Sequence, residues 1–550
     1  MKAVNCRRPS LSGRTLVLIS VIFLCAPFGL AQKTAVFTYH NDVHRTGWNH
    51  TETTLTPANV NATEFGLLAS VPVDDEVDAV PLVIPNVSIT SGQYQGVHDV
   101  VYVITASNTV YAMDASSGTV LLTTNLGTPV VEPLGCKSNG PNVGVNSTPV
   151  IDQSRKLMYV MAYTEGSSGP VYTLHALDIG NLQDKVKPEV VSATHTLTDG
   201  SQFAFNATYQ RQRPALLEAN NNVYAAFGSW CDFAGNLSRG WLLGWEASTL
   251  APLPANQLLQ SQASDTDDFF LASIWMSGYG PSADDKGNIL FVTGNSDSAG
   301  NNYDGVTSIQ ESAVKVSPDL STVVDLFTPD DWSFLDQGDH DFGSGGIMVL
   351  PDQAGSIPHL AVAAGKEGSM FLMNEDDLGG YSPNNNNVLG TYTIGKCFCG
   401  ESYFSYLKNP AIVTSGANQI IAYRLITSPT PQLEQYSSAT IVTGQDAGPT
   451  ATGFFTSVSS NGQGIPIIWA LSRPLSQTQP AISLYAFLPL GKAGAMTQLF
   501  SDTAAGTWPY FVGRYNQVPV VANGKVYVAS YQVVNIYGLL SSASKANQKP

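Results

Sequence analysis

A short motif recurs eight times along this 550-residue chain at a nearly constant interval. In each copy, small or proline-containing residues open a short strand, and an alternating strand and an aromatic-containing strand follow. The central residues of the eight opening steps are 68, 65, 67, 65, 64, 47 and 62 positions apart. The steps are Val80-Pro81-Leu82, Thr148-Pro149-Val150, Arg213-Pro214-Ala215, Gly280-Pro281-Ser282, Gly345-Gly346-Ile347, Asn409-Pro410-Ala411, Thr456-Ser457-Val458 and Val518-Pro519-Val520. Such a period is typical of repeat architectures, in which each unit buries its faces against its neighbours.

The segment Asp99–Gly127 shows what one unit contains. Val100–Thr105, Thr109–Met113 and Thr119–Thr124 are rich in β-branched and aromatic residues, and Asn, Asp, Ser and Gly occupy the bends between them. A three-stranded meander of this size cannot bury its own faces, so it needs the neighbouring copies. Only 13% of the residues are charged, and glycine and proline are plentiful, which favours many short strands and turns.

The two ends of the repeat array complement each other. The last unit stops after Gly538 without an outer strand, whereas Glu64–Val73 is a strand without a neighbour at the other end. Pairing them closes the array into a ring and removes its open edges, which a solenoid, the alternative, would leave exposed. We therefore predict an all-β fold, an eight-bladed β-propeller with four-stranded antiparallel blades, closed by an N-terminal strand. The predicted boundaries are a signal peptide at 1–31, a lead-in at 32–63, one propeller at 64–541 and a C-terminal tail at 542–550.

The N-terminal residues are typical of a secretory signal peptide. A basic region precedes the apolar run Leu16–Ala26, and Gly29-Leu30-Ala31 predicts cleavage before Gln32. A membrane anchor is the alternative, but the run is shorter than the roughly 20 residues that span a bilayer. We expect export to the periplasm or the cell exterior, no membrane span, and a monomer. Cleavage changes the formal charge from −17 to −21, which argues against nucleic acid as a partner.

Four cysteines remain after cleavage, and an even number in an exported chain predicts disulfides. Cys397 and Cys399 could form a tight local ring, which would leave Cys136 and Cys231 as a long-range pair. No Cys-x-x-Cys motif or histidine cluster supports a zinc site instead.

Polar and aromatic residues gather at strand ends in the fourth and fifth units. The motifs are Trp275-Met-Ser-Gly278, Thr293-Gly-Asn295, Gly338-Asp-His-Asp-Phe-Gly343 and Ala364-Gly-Lys-Glu-Gly368. Together with Asp42 and Arg45-Thr-Gly47 in the lead-in and the repeat sequence VYAMDASSG, they make the chain resemble the exported β-propellers with pyrroloquinoline quinone (PQQ)-type repeats. These belong to the quinoprotein alcohol dehydrogenase-like superfamily.

The resemblance implies roles for five residues. Asn295 matches a calcium-ligating Asn, Asp341 matches the catalytic base, and Trp275 matches the floor under the quinone. Lys366 would contact the quinone, and Asp232, which stands where the family has a Glu, would join Asn295 and Asp341 as a calcium ligand. The chemistry is consistent: calcium prefers hard oxygen ligands and polarises a carbonyl, while a carboxylate takes the alcohol proton as hydride moves to the quinone.

Each of these residues also has a structural interpretation. Trp275 could be a blade-packing aromatic residue, Asn295 a strand-end turn residue and Lys366 an exposed turn residue. The acidic run could be a solvated loop, or a calcium site without any quinone; it comprises Asp330, Asp331, Asp336, Asp339 and Asp341.

Two functional hypotheses follow. The first is an exported, non-catalytic propeller that binds a small molecule or an exported envelope protein on its loop face, like PQQ-repeat proteins that have lost the cofactor. The alternative is a PQQ- and calcium-dependent alcohol dehydrogenase-type oxidoreductase with Asp341 as base. The enzyme hypothesis predicts that Trp275, Asn295 and Lys366 converge with Asp341 in one axial cavity. A carboxylate such as Asp232 should lie in the same cavity. The binding hypothesis predicts a filled or narrow axis with these residues dispersed or packed.

Overall fold

Four-stranded antiparallel sheets follow one another along the chain, as the repeat predicts. The computed structural model describes residues 33–137, 140–231, 237–262, 272–296, 303–444, 453–489, 494–511 and 514–541. The predicted signal peptide at 1–31, the predicted tail at 542–550 and Asp232 lie outside the described residues. No helix in the described part of the chain is long and apolar enough to cross a membrane.

The eight sheets are the blades of a propeller, numbered here in chain order. The first four consist of Leu82–Ile89, Gly96–Ile104, Thr109–Asp114 and Val120–Asn125 (blade 1); Val150–Asp152, Leu157–Gly166, Gly169–Asp178 and Glu189–Val190 (blade 2); Leu217–Ala219, Asn222–Ser229, Trp241–Glu246 and Gln257–Leu258, with Gln210–Arg211 added (blade 3); and Ser282–Ala283, Ile289–Val292, Ala313–Val316 and Val323–Thr328, with Gly380–Tyr381 added in parallel (blade 4).

The second half of the ring has the same order. Its blades consist of Ile347–Val349, Leu360–Ala364, Ser369–Asn374 and Gly390–Thr393 (blade 5); Ser402–Tyr406, Asn409–Gly416, Gln419–Ile426 and Gln432–Thr440 (blade 6); Thr456–Ser459, Ile467–Leu471, Ala481–Leu488 and Thr497–Thr507, with Trp48–Asn49 added in parallel (blade 7); and Val520–Ala522, Lys525–Ala529, Tyr531–Leu539 and Phe65–Glu76 (blade 8).

Short elements outside the blades complete the described structure. They are the two-stranded pairs Val130–Val131 with Asn142–Val143 and Thr194–Thr196 with Gln202–Ala204, the 3-10 helices Pro133–Gly135, Met276–Gly278 and Phe342–Ser344, and the α-helix Trp332–Gln337.

Alternating residues of one strand pack against two different blades. In Gly96–Ile104, Val101 and Val103 lie in one apolar cluster that also contains Val534 of blade 8. Their neighbours Val100 and Tyr102 lie in a second cluster, which contains residues of blade 2. Because both faces of the sheet are buried at residues 100–104, this part of the strand is apolar at every position rather than at every second one.

The N-terminal strand closes the ring, as predicted. Phe65–Glu76 pairs antiparallel with Tyr531–Leu539, and Phe65 lies opposite Leu539. The last blade therefore has its fourth strand from the opposite end of the chain, and the edge of Tyr531–Leu539 is covered.

The predicted opening step of the sixth unit is wrong. Asn409-Pro410-Ala411 lies in the second strand of blade 6, and the first strand is Ser402–Tyr406. Pro410 pairs with Ser405 near the start of its strand, a position that tolerates a proline. A proline in the wrong strand thus mimicked the opening step, which explains the short interval of 47 residues that follows it.

The lead-in fills the axis of the ring. Residues 36–49, called here the axial segment, hydrogen-bond to the first strand of every blade or to the residue before it. The eight contacts are Val36 with Val83, Phe37 O with Ile151 N, Arg45 Nη2 with Leu216 O, Val43 O with Ala283 N, His44 O with Val349 N, Thr46 O with Tyr403 N, Gly47 O with Val458 N and Asn49 Nδ2 with Val521 O. These first strands are therefore the innermost strands of the propeller.

Candidate functional site

The four described residues of the predicted site lie at strand ends in blades 4 and 5. Trp275 immediately precedes the helix Met276–Gly278, and Asn295 follows the strand Ile289–Val292. Asp341 immediately precedes the helix Phe342–Ser344, and Lys366 follows the strand Leu360–Ala364. Each is therefore placed by a short connection that is anchored in a buried strand, which fixes the position of its backbone.

Asp341 is the centre of this cluster. The whole residue is 2% exposed. Oδ1 accepts a hydrogen bond from the backbone N–H of Asn295 at 3.1 Å, and Oδ2 lies 3.0 Å from Nζ of Lys366. The same Nζ lies 2.6 Å from Oδ1 of Asp339. Lys366 is itself buried, so it is not the exposed turn residue of the alternative interpretation.

Two glycines allow these connections to approach so closely. A Cβ on Gly294 would lie 2.6 Å from Oδ1 of Asp341 and 3.0 Å from Nε1 of Trp275. A Cβ on Gly343 would lie 2.4 Å from the backbone nitrogen of Gly294. The Thr-Gly-Asn step is therefore more than a turn. Because Gly294 has no side chain, there is room for Asp341 and the indole of Trp275.

Trp275 is half-buried beside this cluster. Its ring contacts the edge of Phe398 at a centroid distance of 5.3 Å, and the guanidinium carbon of Arg213 lies 5.9 Å from its ring centroid. Phe398 lies between the two half-cystines of the Cys397–Cys399 disulfide, and Cys136 pairs with Cys231. Both predicted pairings are confirmed, and the local ring holds Phe398 against Trp275.

Two further carboxylates belong to the cluster, and neither lies in one of the four sequence motifs. Glu311 and Asp336 are both fully buried. Oε2 of Glu311 accepts the backbone N–H of Phe342 at 2.5 Å, and Oδ1 of Asp336 accepts the backbone N–H of Ser296 at 2.5 Å. Part of the acidic run is therefore buried around the end of a strand, contrary to the solvated-loop interpretation.

Several buried polar atoms here have no partner within the described residues. They are Oδ1 and Nδ2 of Asn295 and Oε1 of Glu311. A buried polar atom without a hydrogen bond costs about 1–3 kcal/mol, so such atoms are rare in stable proteins unless a ligand satisfies them. Their position beside Asp341 indicates a place where a bound group would supply the missing contacts.

The donor chemistry of this cluster fits a hard cation. An amide oxygen from Asn295 and carboxylate oxygens from Glu311 and Asp341 are the ligand types that calcium prefers. Within the described residues, however, no three His, Cys, Asp or Glu side chains are already arranged to hold a metal ion. A cation would therefore need the amide of Asn295 and oxygen atoms from a bound molecule or from outside the described residues, where Asp232 lies.

The electrostatic surroundings shift the pKa values of Asp341, Glu311 and Asp339 differently. Burial opposes ionisation of Asp341, but the charge of Lys366 and the N–H of Asn295 outweigh it and hold its pKa below the ordinary value. Burial, followed by the charges of Asp341 and Asp336, raises the pKa of Glu311 well above its ordinary value. Burial and the charge of Asp341 raise the pKa of Asp339 to about 7. Of these three acids, Asp341 is therefore the one whose ionised form is favoured, and a cation would favour ionisation of Glu311 as well.

The sequence missed Glu311, Arg213 and Phe398 as members of the site. Glu311 stands in no recognisable motif, and the sequence around Arg213 indicates only the start of a strand-opening step. Phe398 lies in the segment that connects two blades and is far from Trp275 in the sequence, so no local sequence pattern links the two residues. The tight Cys397–Cys399 spacing was the signal that a fixed side chain stands between them.

Comparisons with known proteins support the fold. No protein-family model matches the chain, and no curated protein matches its sequence. Among solved structures, the quinohemoprotein alcohol dehydrogenase from Comamonas testosteroni has a TM-score of 0.59 at 13% identity, covering 93% of this chain and 81% of that one. A europium-containing methanol dehydrogenase has a TM-score of 0.57 at 12% identity, covering 94% and 93%.

A quinohemoprotein alcohol dehydrogenase from Pseudomonas putida is similar to the same degree. Its TM-score is 0.59 at 12% identity, covering 92% of this chain and 80% of that one. At these identities the likeness shows the fold alone. The predicted resemblance to the quinoprotein propellers is confirmed at that level.

Proposed function

We propose that the chain is an exported, non-catalytic propeller that binds a small molecule together with a cation on its loop face. The observation that carries this proposal is the pair of buried side chains Asn295 and Glu311, whose oxygen atoms include some with no partner among the described residues. Their neighbour Asp341 supplies a negative charge for a cation. The two disulfides support the export part of the proposal, since such bonds persist in oxidising compartments.

The ion pair at Asp341 favours binding over catalysis. Lys366 lies 3.0 Å from the carboxylate and, despite burial, its charge helps to hold the pKa of Asp341 below the ordinary value. A carboxylate with a low pKa is a weak general base at neutral pH. In addition, the guanidinium of Arg213 already lies over the ring of Trp275, the surface on which a flat cofactor would stack.

The convergence of Trp275, Asn295 and Lys366 on Asp341 favours a second candidate function. This is a PQQ- and calcium-dependent alcohol dehydrogenase-type oxidoreductase. Asn295 and Glu311 would hold the calcium ion with Asp341, and Asp341 would accept the hydroxyl proton of the alcohol at its carboxylate. When bound, PQQ supplies the hydride acceptor, and calcium polarises its carbonyl group.

Calorimetric titration of the folded mature chain tests both candidates. Calcium, PQQ, and PQQ in the presence of calcium are titrated into the wild type and into Asn295→Ala and Glu311→Gln. Asn385→Ala, in an exposed loop, is the matched control. Calcium binding that is lost in the site variants and retained in the control is the result expected from the proposal.

A dye-reduction assay with a panel of alcohols then separates the two candidates. Binding without alcohol-dependent reduction is expected for the non-catalytic propeller. Reduction that requires both PQQ and calcium, and that Asp341→Asn abolishes, would establish the oxidoreductase instead. If neither calcium nor PQQ produces heat, both candidates fail, and capture of an exported protein on the loop face becomes the next hypothesis to test.

A further inference from the structure

A groove lies between blades 6 and 7, on the face of the propeller opposite the candidate site. Asn409 begins the second strand of blade 6, and Pro466 immediately precedes the second strand of blade 7; both line the groove. Asn295 and Lys366 instead follow the ends of second strands in blades 4 and 5. Because the second strands run in the same direction in every blade, the starts and the ends of these strands lie on opposite faces.

The size of this blade 6–7 groove suits a small molecule. Its volume is about 370 Å³. Small-molecule sites in proteins have volumes of roughly 300–1,000 Å³ and are lined mostly by apolar and aromatic side chains, with a few polar groups that fix the orientation of the ligand. The groove therefore has room for a compact ligand, and its lining decides which kind of ligand fits.

Rigid rings form most of the walls. Six of the nine lining residues have a ring in the side chain: Phe404, Tyr406, Pro410, Tyr436, Pro466 and Pro489. Phe404 is 2% exposed and belongs to an apolar cluster shared by blades 6 and 7, against which the two tyrosines pack. The floor of the groove is therefore continuous with the core. Flat, rigid walls of this kind favour a ligand with a flat ring of its own.

The side chain and backbone of Gln463 hold the two blades together beside the groove. Oε1 of Gln463 accepts hydrogen bonds from Oγ of Ser405 at 3.2 Å and from the backbone nitrogen of Lys408 at 2.5 Å. The backbone nitrogen of Leu407 donates to the carbonyl oxygen of Gln463 at 3.5 Å. The turn of blade 6 is thus tied to blade 7, so the groove is formed before a ligand enters and little order has to be gained on binding.

Two exposed apolar side chains stand next to lining residues. Leu407 follows Tyr406 and is 63% exposed, and Ile465 precedes Pro466 and is 45% exposed. Single exposed apolar residues are common, but a pair beside an apolar groove extends one continuous surface. The apolar surface of the groove therefore continues onto its rim.

Arg424 is the charged residue of the lining. Its side chain is 52% exposed, and its guanidinium carbon lies 5.9 Å from the centroid of the Tyr436 ring. Its nearest acid is Glu434, at 3.8 Å, which is beyond hydrogen-bond distance. The guanidinium makes no hydrogen bond to any residue that the structure describes. Because an exposed ion pair at this distance contributes little, the donors of Arg424 are available to a ligand.

The charge of the surrounding blades does not oppose an anion. Residues 402–507 contain four Lys or Arg and three Asp or Glu, whereas the whole chain contains 26 and 43. The strong negative charge of the protein is therefore located elsewhere, and Arg424 adds a local positive charge at the groove.

We propose that the blade 6–7 groove binds a small aromatic carboxylate. The ring of the ligand lies against the aromatic and proline walls, and Arg424 donates charge-assisted hydrogen bonds to the carboxylate. The carboxylate replaces the weak contact with Glu434. This site goes beyond the proposed function, shares no residue with the candidate site and needs neither calcium nor PQQ.

Calorimetric titration of the folded mature chain with benzoate, 2-naphthoate and biphenyl-4-carboxylate tests the proposal. Calcium and PQQ are left out, so this test and that of the proposed function succeed or fail separately. At least one of the three should bind with a Kd below about 1 mM. Failure of all three to bind would overturn the proposal.

Two reference ligands separate the charge from the ring. The primary amide of the carboxylate that binds keeps the ring but has no charge, and it should bind at least about tenfold more weakly. Octanoate keeps the charge but has no ring, and it should also bind more weakly. An amide or octanoate affinity equal to that of the aromatic carboxylate would overturn the assignment of the ligand class.

Two variants and a matched control locate the site. Arg424→Gln changes an exposed side chain, so the fold should be retained; carboxylate affinity should fall at least about tenfold, while the affinity for the amide stays unchanged. Tyr436→Leu should weaken the binding of both compounds about twofold to tenfold, as for loss of one ring contact. Lys187→Gln, which removes an exposed charge outside the groove, should bind like the wild type. Unchanged carboxylate affinity in Arg424→Gln would contradict the proposal.

Discussion

Two buried arginines, Arg45 in the axial segment and Arg213 beside Trp275, have their donor groups in opposite states. Arg45, in the axial segment, is fully buried and donates to the carbonyls of Leu216, Pro281 and Tyr39 and to the hydroxyl of Thr38. Arg213, over the ring of Trp275, is almost as deeply buried and donates to no described residue. Within residues 33–49, the Tyr39 hydroxyl is the one buried side-chain polar atom without a partner.

The difference distinguishes buried polar groups that stabilise the fold from buried polar groups that lack partners and that, in our proposal, serve a ligand. Satisfied donors link the blades and stabilise the ring. Unsatisfied ones cost free energy in the unliganded protein, and that cost is recovered when a ligand binds. The comparison therefore predicts that equivalent substitutions in the two regions affect stability differently.

The largest effect is expected for Arg45→Ala in the axial segment. It would leave three buried carbonyl groups without their donor, at about 1–3 kcal/mol for each, so the free energy of unfolding should fall by at least about 3 kcal/mol. Urea unfolding measures this. The exposed control Arg424→Ala should change stability by no more than about 0.5 kcal/mol. A loss for Arg45→Ala no larger than that of the control would break the comparison.

Gly343→Ala tests whether the candidate site is loosely packed throughout, or whether only its side chains lack hydrogen-bond partners. The new Cβ would lie 2.4 Å from the backbone nitrogen of Gly294, so overpacking should cost about 1–3 kcal/mol or more. Gly294→Ala meets only side-chain atoms of Asp341 and Trp275 at this range, so its cost should be smaller. Urea unfolding of both variants decides; equal and negligible costs would show that the backbone here is not tightly packed.

Glu401→Gln tests a buried side chain that lies beside the axial segment but, unlike Arg45, has no hydrogen-bond partner among the described residues. Glu401 is fully buried, both carboxyl oxygens lack partners among the described residues, and burial raises its pKa from 4.5 to about 8. The folded state therefore holds the proton more tightly than the unfolded state, and wild-type stability should fall as pH rises from about 4.5 to about 8.

The glutamine variant removes this pH-dependent contribution. Its advantage over the wild type should grow across that interval by about 1.4 kcal/mol for each pH unit and level off above pH 8. Urea midpoints at pH 5, 7 and 9 measure it, and Glu434→Gln, with a 64% exposed side chain, is the control. Parallel pH profiles for Glu401→Gln and the wild type would show that the carboxyl is already ionised.

A matched pair of asparagines gives the smallest and sharpest test. Asn49→Ala removes a side chain that donates to Val521 O at 2.9 Å and accepts from Thr51 N at 3.0 Å, so it should cost about 1–3 kcal/mol. Asn295→Ala removes a side chain without any described partner, so stability should change by less than about 1 kcal/mol while calcium binding is lost. Equal losses of stability in urea would show that Asn295 is structural.

Most of the fold was predictable because its information is local and repeated. Seven of the eight opening steps lie in or next to innermost strands, and only the step at Pro410 is displaced, by one strand. The closing strand was predictable because an unpaired strand at each end of an array requires a partner. That the lead-in would bond to all eight blades was not, since those contacts are set by the closed ring rather than by a local pattern.

The site was predictable to a lesser extent. Trp275, Asn295, Asp341 and Lys366 could be named because each stands in a short motif, and the structure brings these four together. Glu311 joins them through blade packing that no sequence spacing reveals. Arg213 and Tyr39 meet only because the lead-in returns through the axis, 174 positions away in the chain.

The reach of the axial segment has a consequence for the order of folding. Residues 36–49 bond to blades 1 through 8, and Phe65–Glu76 pairs with the last described strand. These residues are synthesised before any of the blades, yet they can complete their hydrogen bonds only when the final blade exists. Contacts of such large sequence separation slow folding. Residues 36–49 therefore complete their hydrogen bonds late in folding. The step that inserts them into the axis is also the step that completes the closed ring.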